Sequence, residues 1–305
     1  MKSLKILVVG SINMDLILKS QRLPSAGEHL FCESYEYVYG GKGANQSIAT
    51  AKFGAEVTLV GKVGDDAFGG EIISALNGHG VRTNYLGKER GLNTGLAVII
   101  LESSGQNRIL IYPESNMKLK PSDVEQAFKE HYDGMILQFE VPQDVVIHSC
   151  QTAARNNIPF FVDAGPAVNF PIEEIQGAQV LSPNESETYA MTGIRIDDLQ
   201  SVREACILLK ERSKARYVVI KAGERGAFLY DGVDIKHFAP YKVSPIDPTA
   251  AGDAFTAAMT IDYLKSGCIE KAIKFANAAG AIAVTRMGAQ PSMPTLEETR
   301  EFMKT

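Results

Sequence analysis

Short apolar runs alternate along the chain with segments of helical periodicity. Six runs rich in Val, Ile, Leu and aromatic residues predict strands over 6–9, 57–60, 135–139, 158–162, 180–182 and 217–220. Because these runs are apolar on both faces, they predict a parallel sheet that is covered on both sides. Strand–helix alternation over this length predicts a doubly wound α/β sandwich.

Residues that typically begin or end helices separate these runs. Pro121 and Pro142, each followed two residues later by an aspartate, predict helix starts, and Gly54 and Gly193 predict helix ends. The last third of the chain predicts three further helices, over 254–264, 270–287 and 296–303. We therefore expect helices on both faces of the sheet.

Two stretches depart from this alternation. Residues 28–39 and 94–112 predict antiparallel strands, the second with a turn over 103–107. In the first stretch both alternating faces are apolar, with Phe31, Tyr35, Tyr37 and Tyr39 on one face and Leu30, Cys32 and Val38 on the other. A sheet that is apolar on both faces needs two covers. We expect a small lid sheet from about 15–40 and 94–113, with one face over a ligand cleft and the other against a second subunit. The alternative is an edge hairpin of the main sheet.

Composition and charge narrow the class of protein. The 305 residues are 45% hydrophobic and 22% charged, typical of a folded chain, and we expect residues 1–305 to form a single α/β domain. With 31 basic and 36 acidic residues, a net charge of −5 leaves no general basic field for a nucleic acid.

The apolar runs are too short to span a membrane, and we expect no signal peptide. Four widely spaced cysteines without metal-binding spacing fit reduced thiols, so we expect a cytoplasmic protein.

Two segments rich in small residues carry the candidate chemistry. Residues 40–45 read Gly-Gly-Lys-Gly-Ala-Asn and open a helix, but they match neither a Walker A loop nor a dinucleotide-binding fingerprint. On its own this segment fits a tight turn with a solvated lysine equally well.

Small residues at 250–252 would leave the N–H groups of a helix start free for an anion, as phosphoryl transfer requires. Asp253 is then either a helix-capping carboxylate or a general base, and its position alone leaves both open.

Three further segments follow predicted strands, where the ligand-binding edge of a doubly wound sheet lies. The turn at 223–226 admits a nucleotide or is a hairpin. Asn184 and Glu187 form a capping box or hold a Mg²⁺–phosphate group through water. Asn13 and Asp15 would face one side of an extended segment, where an amide and a carboxylate suit neighbouring sugar hydroxyls. The alternative for that pair is an Asx turn.

Taken together, these segments resemble the PfkB family of carbohydrate kinases, and within it the ribokinases most. Residues 40–45 and 247–253 resemble the two family signatures, and the resemblance extends to 13, 15, 138–140, 183–185 and 281–292. It implies a ribokinase-like three-layer α/β/α sandwich with a small β-sheet lid. It also implies phosphate transfer from ATP to a sugar, which in ribokinases converts D-ribose into D-ribose 5-phosphate. Another sugar or a nucleoside (deoxyribose, fructose, a keto-deoxy sugar acid) and a non-catalytic sugar-binding sensor are the alternatives.

The resemblance also implies roles for individual residues. Sugar hydroxyls would be held by Asn13, Asp15, Gly41, Lys42, Asn45 and Glu140. Asp253 would be the base on the primary alcohol, with the backbone N–H groups of Ala251 and Gly252 as the anion hole. ATP would be contacted by Asn184 and Gly252, with Glu187 placing Mg²⁺ through water. The adenine and ribose side of ATP would be lined by Lys221, Gly223, Glu224, Gly226 and Asn277. An activating K⁺ would lie at Asp247, Thr249, Ala283, Arg286, Gly288 and Ser292, and the lid sheet would form a homodimer contact.

Three segments depart from the ribokinase pattern. Asp163 begins Asp-Ala-Gly-Pro-Ala where ribokinases usually carry Asn-Pro-Ala-Pro-Ala. Pro248 replaces the usual threonine after Asp247 and removes an N–H group from that loop. Residues 113–116 read Pro-Glu-Ser-Asn where Gly-Ala-Asn is typical, and Glu114 adds a charge beside the expected sugar pocket. Because none of these changes removes a catalytic group, we expect them to affect the preferred sugar and the response to K⁺.

Overall fold

Two β-sheets and the helices around them make up the fold over residues 3–104 and 107–304, which the computed structural model describes. The strands are β1 (Lys5–Val9), β2 (Asn13–Ser20), β3 (Ser34–Gly40), β4 (Glu56–Gly64), β5 (Val81–Glu89), β6 (Gly95–Glu102), β7 (Asn107–Tyr112), β8 (Gly134–Leu137), β9 (Phe160–Asp163), β10 (Val180–Ser182), β11 (Tyr217–Lys221), β12 (Ala227–Tyr230) and β13 (Ile235–Phe238). The helices are α1 (Lys42–Lys52), α2 (Ala67–Gly78), α3 (Pro121–Ala127), α4 (Gln143–Arg155), α5 (Glu185–Thr192), α6 (Leu199–Ser213), α7 (Ala251–Ser266), α8 (Ile269–Ala283), α9 (Ala289–Ser292) and α10 (Leu296–Phe302). None of these helices is long and apolar enough to cross a membrane.

The main sheet has the strand order β13-β12-β11-β10-β9-β8-β1-β4-β5. Its strands from β11 to β5 are parallel, and β12 and β13 are antiparallel at one edge. Along β1 the side chains alternate between two cores: Leu7 and Val9 belong to one, and Ile6 and Val8 to the other. A sheet buried on both faces needs a helical layer on each. The predicted three-layer α/β/α arrangement is confirmed.

Element boundaries differ from the sequence prediction at several points. Strands β5 and β13 were not predicted, because polar residues interrupt them. Strand β12 is apolar but only four residues long, and it was not predicted either. Helix α8 ends at Ala283, short of the predicted residue 287. The carbonyl of Val284 accepts the N–H groups of Ile246 (2.7 Å) and Asp247 (3.1 Å), so the chain leaves the helix there.

The two exceptional stretches form a separate four-stranded sheet, here called the small sheet, with the order β3-β2-β6-β7. The edge-hairpin alternative is therefore wrong. Pairs β2/β3 and β6/β7 are antiparallel as predicted, but the central pair β2/β6 is parallel. The first strand of the prediction begins at Ser34 rather than at residue 28, so Phe31 lies outside it and is 98% exposed. The predicted turn over 103–107 includes residues 105 and 106, which lie outside the described residues.

The strand register separates the two faces of the small sheet. Asp15 pairs with Ala97, and both side chains line the space between the small sheet and the main sheet. Leu16 pairs with Val98, which pairs with Leu110, and these side chains lie on the opposite, outer face. The small sheet therefore has one face on a cavity and one apolar face turned outward.

Candidate active site

A cavity of about 700 Å³ lies between the small sheet and the carboxyl ends of the main-sheet strands. Its volume is within the range of small-molecule sites. It brings together most of the predicted residues: Asn13, Asp15, Gly41, Lys42, Asn45, Glu140, Asn184, Glu187, Lys221, Gly223, Thr249, Ala251, Gly252 and Asp253. The predicted residues outside its lining are Glu224, Gly226, Asp247, Asn277, Ala283, Arg286, Gly288 and Ser292.

Glycines let the start of α1 lie directly against β2. Gly41 has φ +88°, and a Cβ there would stand only 2.7–2.9 Å from backbone atoms of residues 11–13. A Cβ on Gly40 would overlap the Asp15 carboxylate. Gly43 packs against the backbone of Gly10 in the same way. These glycines therefore let one part of the protein's own backbone pack closely against another. This packing places Lys42 and Asn45, at the start of α1, in the lining of the cavity.

Asp253 lies in the first turn of α7, but its carboxylate does not cap that helix. Its Oδ2 accepts a hydrogen bond from Asn45 Nδ2 (3.0 Å), and its Oδ1 accepts one from Gln46 Nε2 (2.9 Å). Lys42 Nζ lies 3.7 Å from Oδ1. Burial raises the pKa of Asp253, although Lys42 and the two amides act in the opposite direction. A carboxylate with a raised pKa is a better proton acceptor near neutral pH.

The start of α7 offers free N–H groups beside this carboxylate. Ala250 adopts φ +59°, and the N–H of Ala251 donates to Pro248 O at 3.3 Å. Among the described residues, no hydrogen-bond acceptor faces the N–H groups of Gly252 and Asp253. The candidate anion hole is thus made by Gly252 and Asp253, whereas the resemblance implied Ala251 and Gly252. Such a helix start attracts negative charge.

The sugar-binding candidates lie on β2 and α1. Asn13 and Asp15 are buried in β2 and not in an Asx turn. Asn116 Nδ2 donates to Asn13 Oδ1 (2.8 Å), which leaves the Asn13 amide N–H groups available to a ligand. Burial, and then the charges of Glu140 and Asp253, raise the pKa of Asp15 to about 7.

Asn45 adds a hydrogen-bond acceptor to this side of the cavity. Its Oδ1 is buried without a hydrogen-bond partner in the described part of the chain, while its Nδ2 is held by Asp253. A buried acceptor without a partner costs about 1–3 kcal/mol, and a ligand hydroxyl would remove that cost. The arrangement therefore favours a ligand that presents several hydroxyl groups.

Three positioning residues were not predicted: Gln46, Asn116 and Asp163. Gln46 directly follows a predicted residue, but nothing in its spacing indicates a contact with two carboxylates. Asn116 lies two residues after Glu114, in the segment that departs from the ribokinase pattern, and its side chain contacts Asn13. Glu114 instead accepts hydrogen bonds from the backbone and side chain of Asn93 and does not line the cavity. Glu114 therefore adds no charge to the lining of the cavity itself.

On the predicted nucleotide side, Asn184 and Glu187 form a capping box for α5. The Asn184 side chain accepts the N–H of Glu187 (2.8 Å), and Glu187 Oε2 accepts the N–H of Asn184 (2.7 Å). Both residues also line the cavity. Gly226 packs against the carbonyl of Phe238, and Asn277 donates to that carbonyl at 3.2 Å. Gly226 and Asn277 therefore do not line the cavity, and instead contact the backbone at Phe238.

The predicted K⁺ residues are partly brought together. Asp247 accepts the N–H groups of Thr249 and Gly288, both at 2.9 Å. The hydroxyl of Ser292 donates to Ala289 O within its own helix, at 2.7 Å. Arg286 N–H donates to the carbonyl of Ala283 at 3.1 Å, and its guanidinium pairs with Glu298. The loop therefore presents one carboxylate among backbone groups.

Comparisons with known proteins identify the family. The pfkB family carbohydrate kinase model matches residues 3–296. The ribokinase of Bacillus subtilis strain 168 is 35% identical over 300 residues, 98% of this chain and 99% of the relative. The deoxyribokinase of Salmonella typhi is 31% identical over 301 residues, 98% of each chain. The structure of Arabidopsis thaliana ribokinase complexed with ribose and ATP matches with a TM-score of 0.90 and 30% identity, covering 100% of both chains.

The chain belongs to the pfkB family of carbohydrate kinases, which are phosphotransferases. Its fold is the ribokinase-like α/β fold, a mixed sheet flanked by helices with a second small sheet. The predicted family, fold and enzyme class are confirmed.

Proposed function

We propose that this protein is an ATP-dependent ribokinase, which converts D-ribose and ATP into D-ribose 5-phosphate and ADP. The observation that carries the proposal is the buried Asp253 carboxylate beside the free N–H groups of α7, in a cavity that also contains Asn13 and Asp15. The full-length similarity to proteins named ribokinase supports it. Deoxyribose is the second candidate substrate, because a deoxyribokinase is 31% identical over nearly the whole chain.

In the proposed reaction Asp253 accepts the proton of the sugar's primary hydroxyl. The bond from that oxygen to the γ-phosphorus forms as the bond to the β,γ-bridging oxygen breaks, and ADP leaves with the electron pair of the broken bond. The N–H groups of Gly252 and Asp253 stabilise the charge on the transferred group. Asn13, Asp15 and Asn45 hold the other sugar hydroxyls, and closure of the small sheet excludes water.

Mg²⁺ and K⁺ are part of the proposal. Mg²⁺ would neutralise phosphate charge, and the buried Glu187 fits a water-mediated contact because Mg²⁺ usually keeps several waters. K⁺ would lie near Asp247, where a single carboxylate among backbone groups suits a monovalent ion. Pro248 stiffens that loop. The resemblance to ATP-using kinases and the contact of Asp247 with Gly288 support these assignments.

The expected single domain and cytoplasmic location remain predictions, and we further propose a homodimer through the outer face of the small sheet. On that face Leu110 is 70% exposed, Tyr35 69% and Tyr112 63%. Exposed apolar faces of this kind typically mark protein contacts, and a self-complementary patch gives a two-fold dimer.

Leu110→Lys is expected to convert the protein to monomers, because it places a charge on the exposed apolar face of the proposed contact. Sedimentation velocity measures the change against the chain mass of 33.1 kDa. Leu199→Lys is the matched control, since Leu199 is 63% exposed on α6, away from the small sheet. A monomeric wild type, or a Leu110→Lys protein that sediments as the wild type does, contradicts the dimer.

ADP release across a panel of D-ribose, 2-deoxy-D-ribose, D-fructose, a keto-deoxy sugar acid and a nucleoside tests the proposed substrate. We expect the highest kcat/KM with D-ribose, because Asn13 and Asp15 suit adjacent hydroxyls. The rate should be higher in K⁺ than in Na⁺. A higher kcat/KM with 2-deoxy-D-ribose would support the second candidate, and release with none of them would favour a sensor.

A further inference from the structure

Two lysines supply the positive charge among the described residues that line the cavity, and their surroundings differ. Lys42 Nζ lies between two carboxylates, 3.3 Å from Asp163 and 3.7 Å from Asp253. Lys221 Nζ forms one ion pair in the described structure, 2.5 Å from Asp163 Oδ1. Lys42 is therefore compensated by the protein on two sides, whereas Lys221 retains donors that a ligand can use.

Lys221 is the last residue of β11, and its ammonium lies beside the start of α7. A Cβ placed on Gly252 would meet a single neighbour within 4 Å, the Lys221 Nζ at 3.7 Å. The ammonium therefore lies next to the free N–H groups of Gly252 and Asp253. A helix start and a lysine that converge on one point form a site for a phosphoryl group.

Asp163 connects this ammonium with the candidate base. It is completely buried, and its Oδ2 accepts a hydrogen bond from Gln46 Nε2 at 2.8 Å. The same Gln46 nitrogen donates to Asp253 Oδ1 at 2.9 Å. Burial opposes the ionised form of Asp163, but Lys221 and Lys42 together hold its pKa below the usual value. Lys221, Asp163, Gln46 and Asp253 thus form one continuous chain of contacts.

The charge of the cavity shows what Lys221 is needed for. Six carboxylates lie in or beside it, on Asp15, Glu140, Asp163, Glu185, Glu187 and Asp253, against two lysines in its lining. Glu185 is paired with Arg225 outside the lining. A triphosphate adds further negative charge at the start of α7. An anion in this cavity therefore needs a cation that is not already enclosed by carboxylates, and Lys221 is the protein group that meets this condition.

We propose that Lys221 donates hydrogen bonds to the γ-phosphoryl oxygens of ATP during transfer, and that Asp163 positions its ammonium. The proposal rests on the proposed kinase function. It assigns Lys221 to the reacting phosphate, whereas the resemblance implied the adenine and ribose side. Lys221 neither gives up nor takes up a proton in this role: the hydroxyl proton still goes to Asp253, and ADP still leaves with the electron pair.

Lys221→Met tests this contact, because it removes the charge and keeps most of the chain length. We expect kcat to fall about 10²-fold, as for the loss of one donor to a reacting oxyanion. Affinity for the non-hydrolysable analogue AMP-PNP should fall about tenfold, the effect of one charged hydrogen bond, with ADP affinity changed less than about threefold. Calorimetry measures both affinities.

Lys62→Met is the matched control. The Lys62 side chain is 12% exposed, against 11% for Lys221, and it pairs outside the cavity with Glu89 at 2.8 Å and with Asp123 at 3.2 Å. Its kcat and both nucleotide affinities should stay within about twofold of the wild type. The contrast separates a phosphate contact from the general cost of removing a buried lysine.

The double variant Lys221→Met/Asp163→Asn keeps the proposal testable if the single variant is unstable. It removes both charges of the pair, and Lys42, which loses Asp163, keeps Asp253 as its partner, so no unpaired charge is buried. Thermal unfolding checks its fold. We expect it to lower kcat and AMP-PNP affinity as Lys221→Met does. Near-normal kcat in this variant, or equal losses of ADP and AMP-PNP affinity, would overturn the proposal. A wild type without turnover on any sugar would instead overturn the proposed function, since the nucleotide contrast is measured by binding alone.

Discussion

Asp253→Asn is expected to lower kcat at least about 10²-fold, with the dissociation constant for ribose changed by less than about threefold. The asparagine cannot accept the hydroxyl proton, but it keeps the size and position of the carboxylate. Its new amide would face the Asn45 side chain, whose Oδ1 is buried without a partner in the described part of the chain. Rotation of the Asn45 amide brings its Oδ1 to the new amide and turns its Nδ2 toward the cavity, where it can donate to the sugar hydroxyl instead. We therefore expect the variant to fold and to keep its affinity for ribose.

Steady-state ADP release and calorimetric ribose titration measure the two effects separately. Asp144→Asn is the matched control, because Asp144 also lies in the first turn of a helix, α4, but not on the cavity. It should retain kcat within about twofold. Near-normal turnover in Asp253→Asn would exclude Asp253 as the base.

Asp15→Asn is expected to weaken ribose binding about 10–100-fold, because a hydrogen bond to a charged group contributes about 1.5–3 kcal/mol. The same change should stabilise the sugar-free protein at neutral and higher pH. Burial raises the Asp15 pKa from 3.8 to about 7, so the folded protein binds this proton more tightly than the unfolded chain does. The carboxylate therefore costs stability above pH 7 and costs nothing below pH 3.8.

Urea unfolding over this pH range measures the stability effect. The advantage of Asp15→Asn should grow as the pH rises and reach at least about 1 kcal/mol near pH 8. Calorimetry at the same pH measures ribose affinity. Unchanged ribose affinity in the variant would contradict the role of Asp15 as a sugar ligand. A variant less stable than the wild type near pH 8 would contradict the cost that burial places on the Asp15 carboxylate.

The sequence predicts the position of site residues better than the direction of their side chains. Asn13, Asn184 and Lys221 lie at or just after the carboxyl ends of strands of a parallel sheet, so their meeting at one edge follows from the topology. The contact of Lys221 with Asp163 does not, because their strands β11 and β9 are separated by β10. Gln46 likewise gives no signal of its own, since its two carboxylate partners are more than one hundred residues away along the chain.

The small sheet shows a similar limit. Alternating apolar residues predicted its strands and its two apolar faces, but they carry no information on which strands pair. The parallel pairing of β2 with β6 depends on contacts over about 80 residues of chain, and this pairing sets Asp15 beside Ala97. The same holds for Asn116, whose contact with Asn13 is visible only in the folded chain.

The most direct test of the account is phosphorus NMR of the product formed from D-ribose and ATP. Attack by the primary hydroxyl, with Asp253 as its base, places the phosphate on C5. The account predicts a phosphomonoester signal split by the two C5 protons, with ADP formed in equal amount and no such signal from Asp253→Asn in the same time. A signal split by one proton, as from phosphate on C1, or inorganic phosphate alone would contradict it.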